Sequence, residues 1–78
     1  MLQLPTNDGK FCGIGSQIWV ICSDDWSVSS HFVDNIKNKC FIYKKPDHLG
    51  CIGTRCDWAY STEIAAQFDL ENKKNKFG

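Results

Sequence analysis

The sequence predicts an α+β fold: five short antiparallel strands curled into a small barrel or a strongly bent sheet, followed by one C-terminal helix. Three observations predict it. The most apolar run, Gln17-Ile18-Trp19-Val20-Ile21-Cys22, is too short for a globular helix and is bounded by turn-formers, Gly13, Gly15 and Ser16 before it and Ser23, Asp24 and Asp25 after it. Turn residues recur every few positions as far as Gly53. Only after Ser61 does the apolar spacing change to that of a helix.

The central run sets the problem that the rest of the chain solves. Side chains alternate across a strand, so Ile18, Val20 and Cys22 share one face while Trp19 and Ile21 share the other. Both faces are apolar and both need cover. With 78 residues in one domain, the core supplies only about 3–5 kcal/mol net.

Residues 1–15 read as an irregular segment, with Pro5 and the Asn7-Asp8-Gly9 turn interrupting any period. Phe11 and Ile14 either lap over one end of the barrel or form a short edge strand. Gly13-x-Gly15 lacks the third glycine and the strand-then-helix context of a phosphate loop. Strands are expected across residues 17–60. After the Asp24-Asp25 turn, Trp26 to Ile36 alternates loosely, as a bent strand that changes neighbours partway would. Lys37-Asn38-Lys39 is a polar connector, Cys40-Phe41-Ile42-Tyr43 a third strand, and Lys44 to Gly50 a loop punctuated by Pro46. Cys51-Ile52-Gly53 and Cys56 to Tyr60 complete the five. Trp58 and Tyr60 share one face of the last strand, Asp57 and Ala59 the other. A helix is expected over 62–72, capped by Ser61 or Thr62, with Ile64, Ala65 and Phe68 inward and Leu70 turned away. Residues 73–78 read as a fraying polar tail.

These elements suit an SH3-like or OB-like barrel, which covers two apolar faces and removes edges. The layout Ile14-Gly15-Ser16-Gln17-Ile18-Trp19-Val20-Ile21, Phe41-Ile42-Tyr43, then Trp58-Ala59-Tyr60-Ser61-Thr62-Glu63-Ile64-Ala65-Ala66 resembles small SH3-like barrel proteins encoded by phages and mobile elements. Those follow a glycine, apolar strand, strand, strand, S/T-x-E-A helix pattern, matched here over about residues 14 to 74. The four cysteines beyond Cys12 and the Asp24-Asp25-Trp26 turn fall outside it. The resemblance implies a phage protein acting in the host cytoplasm on a host target, a defence or gene-expression component. It brings no residues that define an activity.

Nine Lys plus Arg balance nine Asp plus Glu, so no global field draws in nucleic acid or an anionic membrane. No run approaches the roughly 20 apolar residues of a membrane span, and the start lacks the regions of a secretory signal. A soluble cytoplasmic protein with reduced thiols is expected, and its five cysteines are an odd number for a disulfide framework.

Four chemistries compete with plain structural roles for these residues. Cys40, His48, Cys51 and Cys56 would make a zinc site, but no Cys-x2-Cys knuckle is present, and buried free cysteines account for Cys22 and Cys40 in apolar strands. A thiol paired with His31 or His48 would need a pocket that excludes water, for which this chain has little room. No metal, cofactor or enzymatic activity is therefore assigned. Asp24 and Asp25 read as solvated turn carboxylates. Lys37, Lys39, Lys44 and Lys45 flank Phe41 and Tyr43 as a basic rim flanks stacking aromatics in a nucleic-acid binder; otherwise the aromatics are core. A small nucleotide held by Trp19, Trp26 and Trp58 with Arg55 is a related reading.

Protein binding is favoured. Three Trp, five Phe and two Tyr exceed what so small a core can bury, and Trp and Tyr anchor interfaces. Trp26 in its turn with Asp24 and Asp25 is the first candidate anchor, Trp58 with Arg55 the second, and Lys44 with Lys45 the basic element. The alternative for Trp26 is a lid folded back on the core. The function expected is thus a non-enzymatic inhibitor that binds and blocks a host protein, with nucleic-acid or nucleotide sequestration as the alternative and self-association as a way to cover spare apolar surface.

Overall fold

The computed structural model describes residues 2–45 and 50–78. The strands are β1 (Gln3–Pro5), β2 (Phe11–Gly13), β3 (Gln17–Cys22), β4 (Ser27–Phe32), β5 (Asn35–Lys37), β6 (Cys40–Lys44), β7 (Cys51–Arg55) and β8 (Ala59–Tyr60), followed by helix α1 (Glu63–Phe77). They pair antiparallel as a β1-β2 hairpin and two three-stranded sheets, β4-β3-β8 and β5-β6-β7. The fold is therefore α+β with several antiparallel sheets and a C-terminal helix, and the sheets do not close into a barrel.

Both apolar faces of β3 are covered. Ile18 and Val20 pack with Cys12, Val33, Ile36, Phe41, Tyr43 and Ala59 between the two sheets. Ile21 packs on the other side with Tyr60 and Ala66, joined by half-buried Trp19, Trp26, Val28, Trp58 and Leu70. The last strand divides as its alternation predicts, Ala59 going to the first core and Tyr60 to the second.

The segment after β3 does change neighbours. β4 pairs along the whole of β3, and β5 then pairs with β6. Between them the Val33 amide donates to the Ser16 carbonyl at 2.9 Å and the Asp34 amide to the Ile42 carbonyl at 2.7 Å, so one chain hands its hydrogen bonds from one sheet to the other. The bend breaks the alternation, which lets Val33 and Ile36 enter the same core. Asn38 (φ 52°) and Lys39 (φ 61°) then form a two-residue turn, with Lys37 opposite Cys40. Two consecutive left-handed residues match the twist of a hairpin.

Three expectations need correction. Residues 1–15 hold the β1-β2 hairpin, turned at Thr6–Lys10 with Gly9 at φ 88°. The Asn7 amide donates to the Ala59 carbonyl at 2.8 Å, so this hairpin docks on β8. Residues Cys56–Trp58 are a 3-10 turn rather than strand. The helix extends beyond 72 to Phe77, and its inward stripe is Ala65, Ala66 and Leu70, while Ile64 and Phe68 are each 82% exposed. Close approach to Tyr60 and Ile21 admits alanine and turns the bulkier side chains outward. Thr62 caps the start, its Oγ1 accepting from the Ala65 amide at 3.1 Å. Glu63 in the first turn and Lys74 and Lys76 in the last suit the helix dipole.

No helix among the described residues is long and apolar enough to cross a membrane.

Candidate functional site

The helix end, the 3-10 turn and the turn after β3 together build a row of aromatic rings. Trp26 and Trp58 lie with centroids 6.2 Å apart and planes tilted by 33°. Phe77 continues the row, 5.3 Å from Trp58 and tilted by 44°. The Lys73 Nζ sits 4.9 Å from the Trp58 ring centroid and 5.8 Å from that of Phe77, and Lys76 Nζ lies 5.5 Å from Phe77. These separations suit tilted aromatic and cation–π contacts. Trp26 and Trp58 are half-buried and Phe77 is 55% exposed, so the row is held from below and meets solvent beside the two lysines.

Trp26 does not project freely from its turn. It adopts φ 53°, unfavourable for a bulky residue, and packs against the second core. The lid reading describes its position, although it also forms one end of the row. Asp24 and Asp25 beside it are exposed. Ser27 Oγ donates to Asp25 Oδ1 at 2.7 Å, which holds that carboxyl below its usual range.

The other expected residues lie elsewhere. Arg55 is exposed at the end of β7 and pairs loosely with Asp57 at 3.7 Å. Lys44 ends β6 opposite Cys51, exposed, with Lys45 following it. Lys45 faces His31, whose ring stacks on Tyr43 at 4.2 Å and whose Nε2 lies 2.9 Å from Ser29 Oγ. Burial, then the Lys45 charge, push the His31 pKa down.

The aromatics between the lysines are core: Phe41 is 0% and Tyr43 5% exposed, so β6 presents no stacking platform. The touching rings of Trp26 and Trp58 leave no slot for a base between them, and Trp19 packs into the same cluster. For zinc, Cys40 and Cys51 stand at opposite ends of the β6-β7 ladder, about 13 Å apart at roughly 3.3 Å per residue. Cys56 Sγ donates instead to the Lys39 carbonyl at 3.1 Å. His48 lies outside the described residues, and among those described no three His, Cys, Asp or Glu groups gather around one point.

Sequence reasoning missed Phe77, Lys73 and Lys76 by treating residues 73–78 as a tail. The signal was the continuation of one stripe: Ala66, Leu70, Lys73 and Phe77 follow helical spacing.

A second polar cluster ties the termini together. Tyr60, 1% exposed, donates its hydroxyl to Asp69, and Asn7 Nδ2 donates to the Tyr60 hydroxyl at 3.1 Å and to Asp69 Oδ2 at 3.2 Å. Burial and the Asp69 carboxylate drive the Tyr60 pKa far up. Asp8 accepts from the hydroxyls of Thr6 and Ser61 and from the Ser61 amide at 3.0 Å. Burial raises its pKa, but these bonds outweigh burial and leave it lowered.

No family model matches the chain, and neither a curated protein nor a solved structure matches it.

Proposed function

We propose that the chain is a non-enzymatic binding module of phage or mobile-element origin that binds and blocks a host protein, a component of defence or gene expression, in the host cytoplasm. The observation that carries protein binding is the Trp26-Trp58-Phe77 row with Lys73 and Lys76 above it. Aromatic rings fixed from below lose little freedom on docking, and tryptophan gives large contact area per residue. The lysines favour a partner patch that is apolar at its centre and acidic at its rim. Phage origin rests on the strand and helix pattern alone. The sheet order β4-β3-β8 and β5-β6-β7, joined through the bend at Val33, supports an SH3-like barrel with an open seam.

The test is capture from a bacterial lysate on the immobilised protein, with and without nuclease, against the double variant Phe77→Ala, Lys73→Glu. The reading predicts one dominant protein, kept after nuclease and lost on the variant. Retention by the variant would overturn the role of the row.

A second reading, single-stranded nucleic acid, draws on the same row, because rings beside cations are what stacking needs. It predicts binding that nuclease removes and that falls steeply with salt, and that Lys73→Glu with Lys76→Glu weakens it. Self-association is a further expected mode, through the outer helix face where Ile64 and Phe68 are exposed, and sedimentation reads it.

A further inference from the structure

The seam that the sheets leave open is bounded by two unpaired strand edges. β7 lies at the end of its sheet, bonded among the described residues to β6 alone. β3 is bonded to β8 only at Trp19 and Val20, so Ile21 and Cys22 lack a β8 partner on that side. Both free stretches line one cleft of about 470 Å³, walled by Val20 to Asp24 from one sheet and Ile52, Gly53 and Thr54 from the other.

The cleft is lined by two hydroxyls that have no hydrogen-bond partner among the described residues. Tyr43 is 5% and Thr54 9% exposed, and both line the cleft. Among the described residues neither hydroxyl has a hydrogen-bond partner, although no fully occluded polar side-chain atom lacks one, so both open into the cleft. Buried polar groups are ordinarily paired, which marks this pair as waiting for a partner. Ser29, Cys22 and Lys45 add further polar groups, and Asp24 adds one carboxylate.

We infer that this cleft takes an extended segment of a partner polypeptide, which adds as a strand between β3 and β7 and points a carboxylate or carboxamide side chain down to Tyr43 and Thr54. A cleft between two strand edges fits a strand better than a compact small molecule, because an extended chain offers amides and carbonyls to both sides. The acceptor side chain satisfies the idle hydroxyls, with the Lys45 ammonium in the same cleft. The inference rests on the protein-binding reading and adds the form of the partner.

The test is a display library of linear ten-residue peptides selected on the whole protein, with affinity of the enriched peptide measured by calorimetry and its site by amide exchange. Slowed exchange at Ile21, Cys22, Ile52, Gly53 and Thr54 is expected. Methylating alternate peptide amide nitrogens should weaken binding at least tenfold, and Tyr43→Phe several-fold. Tyr43→Phe should fold as the parent does, because its hydroxyl has no partner among the described residues. No enriched peptide, indifference to methylation, or protection confined to Trp58 and Phe77 would each overturn the inference. The last outcome leaves the protein-binding reading standing. Loss of lysate capture without loss of peptide binding would do the reverse.

Discussion

The Lys73 ammonium lies 4.9 Å from the centre of the Trp58 ring, and this contact joins the C-terminal part of α1 to the 3-10 turn before β8. It explains why a segment of polar composition stays helical to its end: Trp58 and Phe77 give the last turn an apolar partner.

Trp58→Ala should therefore shorten the helix as well as weaken the fold. A fully buried tryptophan costs about 3–5 kcal/mol on truncation, and half burial brings the expectation to about 2 kcal/mol. Lys73→Ala should cost only about 0.5–1 kcal/mol, as an exposed cation–π pair. Urea unfolding with far-ultraviolet circular dichroism measures both; equal losses would contradict this assignment.

The orientation of the helix gives a paired prediction. Phe68→Gln should change stability by no more than about 0.5 kcal/mol, since its ring is solvent-facing. Ala66→Leu should cost about 1–3 kcal/mol by overpacking against Tyr60 and Ile21. The opposite ranking would restore the stripe read from sequence.

The pH dependence follows from Tyr60. Its folded pKa lies above the ordinary value of 10.0, so the unfolded chain loses the proton first as pH rises. The Tyr60 contribution to stability is then full below about pH 10 and falls above it. Tyr60→Phe should flatten that fall in denaturation midpoints between pH 8 and 11, leaving a remainder from Cys12, Cys56 and Tyr43, whose pKa values burial also raises. At neutral pH the same variant should cost about 1–2 kcal/mol, because Asp69 and Asn7 lose their shared partner.

The β5-β6 turn carries removable strain. Lys39 stands at φ 61°, where glycine fits without cost. Lys39→Gly should stabilise by about 0.5–1 kcal/mol, read as a higher urea midpoint at unchanged slope.

Much of the fold was legible from local pattern. The two apolar faces of β3, the bent strand at Val33 and the Thr62 cap are written in residues that are neighbours in sequence. The helix face was not, because Ile64 and Phe68 look like core residues until the separation of α1 from Tyr60 is known. Nor was the row. Trp26, Trp58 and Phe77 meet across three separate elements, and half-burial of a tryptophan depends on what lies beneath it. The hairpin near the N-terminus escaped because strands of three residues between turn-formers carry no period, and its docking depends on Asn7 meeting Ala59. The open seam depended on how far β8 reaches along β3, which residue types do not encode.

The most direct test of the account is site-specific photo-crosslinking in bacterial cells, with a benzophenone amino acid at position 77 and, for comparison, at position 64. Both positions are exposed, but only the first lies in the aromatic row. The account predicts one discrete protein adduct from position 77 and none of that mass from position 64. The same adduct from both positions, or none from position 77, would contradict it.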